Sequence, residues 1–381
     1  MRPIFCSLTD KFTTAENSMN KKLLTLAVAA ALTAPTAAMA EAVLYGDLQV
    51  SIDYASFDNN SYEGWGVNGG GPMPGKGNRD NQIGLKGSED LGNGLKAIYH
   101  VQINVELTAE NSNSILTNDN AARGGDNLVT MQKSYVGLTS DWGTFVVGRN
   151  DTPFYTSTEK LDLFSNTMAD YNDTVGFNDV RADNAIAYVS PSIAGFQLAA
   201  AVVPGGGMSA GFGANNNADS ISDAYSVAGV YKNGPLFASL AYETLGNELY
   251  MNTATSNNSL SASHVKDDYT KWRAGLGLMD WNGFTVTGIF EDQSDNPVNV
   301  DQQLWQVQAA YAFGNSAVKA MYGLGDRDEV AGQDLDYSTW AVAFDHNLSK
   351  RTKAYVLYNQ YTDDVADSDW DGFSVGMMHH F

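Results

Sequence analysis

From Val43 to Phe381 the chain is a succession of about sixteen short stretches in which every second residue is apolar. In the first, Leu44, Gly46, Leu48, Val50, Ile52 and Tyr54 alternate with Tyr45, Asp47, Gln49, Ser51 and Asp53. A β-strand sends successive side chains to opposite faces, so such a strand is apolar on one side and polar on the other. A β-sandwich accommodates a few strands of this kind, because its apolar faces meet in a dry core. A whole chain of them, behind an export signal and ending on an aromatic residue, points instead to a sheet closed into a barrel in a membrane. No stretch is apolar for long enough to span a bilayer as a helix.

The export signal lies inside the chain. Met19-Asn20-Lys21-Lys22 reads as a basic n-region, Leu23–Leu32 as an apolar h-region and Ala38-Met39-Ala40 as a small-x-small cleavage site. Residues 1–18 then read as an over-extended start, 19–40 as a signal peptide and 41–381 as the barrel. The single cysteine, Cys6, falls in the leader, so 41–381 is stabilised without disulfides. The chain carries 22 Lys and Arg against 44 Asp and Glu; without Arg2, Lys11, Lys21, Lys22, Asp10 and Glu16 the balance is 18 against 42, a net charge of −24. A nucleic-acid binder needs a basic face, and this balance excludes one. It suits an envelope surface and predicts a mild cation preference for any aqueous path through the barrel.

Two kinds of connection alternate. Seven are short and carry turn chemistry: 88–94, 140–143, 190–195, 232–235, 280–283, 314–316 and 347–350. Eight are long and rich in Asn, Asp, Ser and Gly: 56–78, 107–127, 151–180, 204–222, 244–267, 292–300, 325–335 and 362–371. Together they imply sixteen antiparallel strands, with tight periplasmic turns and extended extracellular loops. Between them Trp272, Ala274, Leu276 and Leu278 oppose Lys271 and Arg273, and Trp305, Val307, Ala309, Tyr311 and Phe313 oppose Gln306 and Gln308. The apolar sets are expected to face lipid and the polar sets to face water inside.

Four segments resemble the general porins of Gram-negative outer membranes, of the neisserial and burkholderial type. They are Ile83–Ala97; Tyr135-Val136-Gly137-Leu138 with Trp142-Gly143-Thr144, Val147-Gly148-Arg149 and Thr152-Pro153; Arg181, Asn184 and Tyr188-Val189-Ser190-Pro191; and Leu348–Thr352. With Val375-Gly376-Met377 and Phe381 they run through 41–381 in the family's order. The resemblance implies an outer-membrane, sixteen-stranded homotrimer for passive diffusion of small hydrophilic solutes and ions, embedded in lipid and lipopolysaccharide. It also implies a third loop folded into the pore and recognition of Phe381 by the outer-membrane assembly machinery. Gln82 departs from the pattern, standing where relatives often carry an arginine.

A pore acts by charge and cross-section. The third long connection holds a helix-like patch, Thr158–Phe164, and the acids Asp151, Glu159, Asp162, Asp170, Asp173 and Asp179, of which Glu159, Asp162, Asp170, Asp173 and Asp179 are candidates for an acidic constriction. Lys86, Lys96, Lys133, Lys271, Arg273 and Lys319 have lumen parity and Arg181 follows the loop; these are candidates for a basic wall. Arg149 comes from the family motif, although its parity with Phe145 and Val147 points it outward unless the strand bulges. Phe381 is the candidate for barrel closure, because the last strand must pair with the first.

Other chemistry fails on context. Gly207–Gly211 has hydrolase nucleophile spacing without a strand-to-helix turn. In Gly70–Lys76, a near phosphate loop, Gly77 replaces the Ser or Thr. Asp367–Gly372 opens like a calcium loop, but Met378 stands where a bidentate Glu belongs. No cofactor, metal or catalytic set is expected. The other readings are a channel selective for one solute class and a barrel-borne adhesin or envelope-structural protein.

Overall fold

The structure, a computed structural model, describes residues 41–58, 63–68, 81–105, 107, 129–205, 208–209, 217–246, 268–296, 301–328, 335–363 and 369–381. The 19–40 signal and the Gly70–Lys76 pattern lie outside these residues, as do most of Gly207–Gly211 and the first residues of Asp367–Gly372.

Among the described residues sixteen strands form the wall: β1 Glu41–Phe57, β2 Gln82–Gly92, β3 Leu95–Val105, β4 Val129–Ser140, β5 Gly143–Asp151, β6 Arg181–Val189, β7 Phe196–Val203 and β8 Ala224–Asn233. They continue as β9 Leu236–Leu245, β10 Tyr269–Trp281, β11 Phe284–Ser294, β12 Gln302–Phe313, β13 Ser316–Arg327, β14 Tyr337–Asn347, β15 Thr352–Asp363 and β16 Trp370–His380. Each pairs antiparallel with its neighbours in sequence. β16 returns to β1 over Asp47↔His380 to Phe57↔Trp370, so the sheet is a closed barrel.

The two-residue period sets which side each residue takes. Leu276 and Val307 are 64% and 58% exposed, while Gln306 and Gln308 are 2% and 1% exposed. A chain that exposes leucine and valine while covering glutamine suits hydrocarbon outside, since lipid does not penalise apolar surface and does penalise unpaired polar groups. Trp272, Trp305, Phe284, Tyr311 and Phe344 continue the outward apolar set as aromatics.

Short strands lie within two expected loops: Met208–Ser209 pairs with Asn217–Ala218 inside 204–222, and a second stretch lies inside 56–78. Glu63–Asn68 is a short strand paired with Ser51–Ser56. β1 pairs β2 only through Glu41–Asp47, so its upper edge is left free, and an unpaired edge is satisfied by whatever extended segment is near.

The segment between β5 and β6 lies against the inner wall. It carries helix α1 (Pro153–Thr156), a 3₁₀ turn over Glu159–Leu161 and helix α2 (Tyr171–Thr174). The single helix-like patch expected over Thr158–Phe164 is therefore only that turn. Thr152 caps α1 with its side chain, with Pro153 in the first turn, and Asp170 caps α2. Beneath the segment the inner wall is dry rather than wet. Leu161, Tyr171, Val175 and Phe177 pack with Phe237, Ile289, Leu304 and Tyr337. Phe164 and Met168 pack with Met321, Ala341 and Leu357. Full burial of one such side chain stabilises the docked loop by about 1.5–3 kcal/mol. Leu161 enters where the wall has no side chains: Cβ atoms on Gly275 and Gly277 would meet it at 2.6 and 2.8 Å.

Candidate functional site

Polar contacts complete the docking of the loop. The Leu163 N–H donates to Gln308 Oε1 at 2.7 Å, and Lys319 Nζ donates to the Leu163 carbonyl at 2.7 Å. Thr287 Oγ1 donates to the Leu161 carbonyl at 2.8 Å, and Gln49 Nε2 to the Asn166 carbonyl at 2.5 Å. Tyr337 donates its hydroxyl to the Val175 carbonyl. The loop thus reaches from β11 and β12 across to β1.

A cavity of about 350 Å³ lies between the loop and the wall. Glu159, Asp170, Asp173 and Asp179 line it from the loop, and Gln82 and Arg181 from the wall. Arg181 Nε donates to Asp151 Oδ1 at 2.6 Å, and Lys133 pairs with the other oxygen of the same carboxylate. Lys86 stands 4.9 Å from the centre of the Tyr45 ring and opposite His100. The Tyr45 hydroxyl lies 2.6 Å from both His100 Nε2 and Gln102 Oε1. Lys86, Lys133 and Arg181 therefore belong to one polar strip on β2–β6, across from the acidic loop edge.

Other candidates stand elsewhere. Lys271 and Arg273 point inward as their parity requires but are fully covered by the loop. Lys271 Nζ lies 2.9 Å from Glu243 and 2.6 Å from the Asn178 carbonyl. Arg273 donates to Asp179 at 2.6 Å, to Glu291 at 2.5 Å and to Thr158 Oγ1 at 2.9 Å. They fasten the loop rather than line water, because a buried cation persists only when paired. Asp162 is likewise behind the loop, accepting from the Phe164 N–H at 2.9 Å and Gln308 Nε2 at 3.1 Å. Burial pushes its carboxyl up to about 6. Burial, then the neighbouring Asp162 charge, pushes Asp170 in the same direction, well above the usual carboxylate range.

Arg149 is not on the wall of the passage. The β5–β6 ladder shifts register between Gly148 and Asn150, and the guanidinium reaches the Met131 carbonyl at 3.1 Å and Asp183 at 2.7 Å. Lys96 sits opposite Asp90 beside the β2–β3 turn, at the end of the barrel away from the loop. Asp151, the shared partner of two cations, is a loop acid left out of the expected constriction; its place at the end of β5, between Lys133 on the neighbouring β4 and Arg181 on β6, was not readable from spacing. Tyr45 was flagged by parity but not by chemistry.

A barrel with hydrocarbon-compatible outer surface and a narrow, charged inner passage is a membrane channel. The chain belongs to the Gram-negative porin family, whose model matches residues 25–367. It is 24% identical over 412 residues to the major outer membrane protein P.IA of Neisseria meningitidis serogroup B, covering 95% of this chain and all of that one. It is 28% identical over 358 residues to outer membrane porin protein 32 of Delftia acidovorans, covering 88% of each. Among solved structures, an anion-selective porin from Comamonas acidovorans superposes with a TM-score of 0.67 at 20% identity, over 90% of this chain and all of that one. Salmonella typhi OmpF in complex with daunomycin gives 0.62 at 15% identity, over 90% and 98%. The protein is an outer-membrane channel for passive diffusion and not an enzyme.

Proposed function

We infer that this porin passes small hydrophilic solutes and ions with a mild preference for cations. One observation carries the sign: Glu159 and Asp173 face the passage from the loop, while the wall cations Arg181 and Lys133 are held on the single carboxylate of Asp151. The Comamonas structure is described as anion-selective, so the two barrels differ in sign on this reading. The acidic edge and the strip of Lys86, Lys133 and Arg181 give a field across the passage that orients polar solutes. The working form is a homotrimer in lipid and lipopolysaccharide, exported by a signal peptide cleaved after Ala40, with Phe381 read by the assembly machinery.

The test is planar-bilayer conductance of refolded 41–381 under a KCl gradient. A reversal potential of the cation-selective sign, with openings in steps of three, is expected. A potential of the opposite sign refutes the preference, and single-step openings refute the trimer.

A further inference from the structure

The closing seam contains a fit that the alternation of the strands does not require. Gly46 is the only glycine in β1, and it stands opposite Phe381. Its N–H donates to the Phe381 carbonyl at 3.1 Å, and the Phe381 N–H donates back to the Gly46 carbonyl at 2.9 Å. The phenyl ring lies across the space where a side chain on Gly46 would be: a Cβ there would meet Cζ at 2.2 Å and Cε1 at 2.5 Å, and on the other side the Gln82 carbonyl oxygen at 2.9 Å. Next along, His380 pairs with Asp47.

Hydrophobic patterning alone does not choose this register. A slip of one residue turns every apolar side chain of β16 to the wrong face and is excluded. A slip of two keeps all faces correct, so the pattern tolerates it. Such a slip brings Phe381 against Leu44 or Leu48, where the ring meets a side chain, and brings His380 against Tyr45 or Gln49, where the ion pair is lost. We propose that Gly46 is the register key of barrel closure: a gap in the first strand that accepts the Phe381 ring and so fixes the stagger at which β16 seals against β1.

Residues 41–381 contain no cysteine, so engineered pairs report register directly. Ser374 faces Asp53 in the structure, and faces Ser51 or Ala55 after a two-residue slip in either direction. Directly opposed pairs in an antiparallel ladder lie within disulfide reach, and diagonal ones do not. Refolded S374C barrels carrying D53C, S51C or A55C are oxidised and the cross-linked fraction read on denaturing gels. The D53C pair alone is expected to cross-link. Adding Gly46→Leu is expected to lower the D53C–S374C cross-linked fraction of folded barrel by about tenfold, as overpacking does. Adding Phe381→Ala to that variant removes the ring clash and leaves only the 2.9 Å approach to the Gln82 carbonyl, so the cross-link recovers most of the way to the level of Phe381→Ala alone. Undiminished native cross-linking in Gly46→Leu, or no recovery with Phe381→Ala, overturns the proposal.

Discussion

Replacing Arg273 by methionine tests whether the covered charges fasten the loop. The guanidinium is fully buried, bonds Asp179 of the loop and Glu291 of β11, and stacks against Phe154 with its carbon 4.4 Å from the ring centre. Methionine keeps much of the packing but leaves two carboxylates facing each other, Glu291 fully buried and Asp179 at the edge of the cavity. Breaking a buried pair by deleting one partner costs about 3–5 kcal/mol, mostly because the remaining charge is stranded. The loop side of the balance is Asp179, so the cheapest relief is for the loop to lift and let water reach both acids. R273M is therefore expected to lower the urea midpoint of the refolded barrel by an amount equivalent to several kcal/mol and to make single channels flicker. The triple variant R273M/D179N/E291Q has no stranded charge and is expected to recover most of the loss. An R273M barrel with an unchanged midpoint and quiet openings, or a triple variant as unstable as the single, refutes the reasoning.

Other outcomes follow from the same geometry. Asp162 titrates near 6 in the folded state because it is buried, above its ordinary range, so the folded protein binds its proton more tightly than the unfolded chain does. Its contribution to loop docking is fully present below about pH 4 and lost as pH rises through 6, by roughly 3 kcal/mol at most. Flicker should accordingly diminish as pH falls from 7 to 4.5, and D162N/D170N should flatten that dependence; a wild-type channel that becomes noisier over this range contradicts it. D151N releases Arg181 and Lys133 toward the passage and should move the reversal potential toward anions, measured under the same KCl gradient. Q82R adds a cation on the cavity wall and should move it further in that direction, with D151N/Q82R showing the sum.

The wall was legible because lipid imposes a rule with a two-residue period on every strand. The seven tight turns and the polarity of Lys271, Arg273, Gln306 and Gln308 could be read one strand at a time. What hid was decided by contacts distant in sequence. The cover over Lys271 and Arg273 comes from a loop about a hundred residues earlier, reaching them through Asn178 and Asp179. Arg149 stays on the outer side that its alternation with Phe145 and Val147 gives it, beside Met131 and the exposed Asp183, and the register shift at Gly148 does not turn it inward. The helical patch was placed over Thr158–Phe164 from its local pattern, yet the chain helices form on either side, where Thr152 and Asp170 supply caps. The acids divided by depth: Glu159 and Asp173 at the water, Asp162 behind the loop. Their spacing carries no information on depth.

The seam also governs how this chain can come into being. Ser374 bonds Asp53 across 321 positions of sequence, and His380 meets Asp47 across 333. No portion of the sheet made earlier can be finished, because any partial set of strands has two raw edges and cannot rest in hydrocarbon. Contacts so distant make the search slow. The polypeptide must therefore be kept unsealed until almost all of it is present, and its dilute, alternating apolarity is what lets it wait in water without being taken for a helix by the first membrane it crosses.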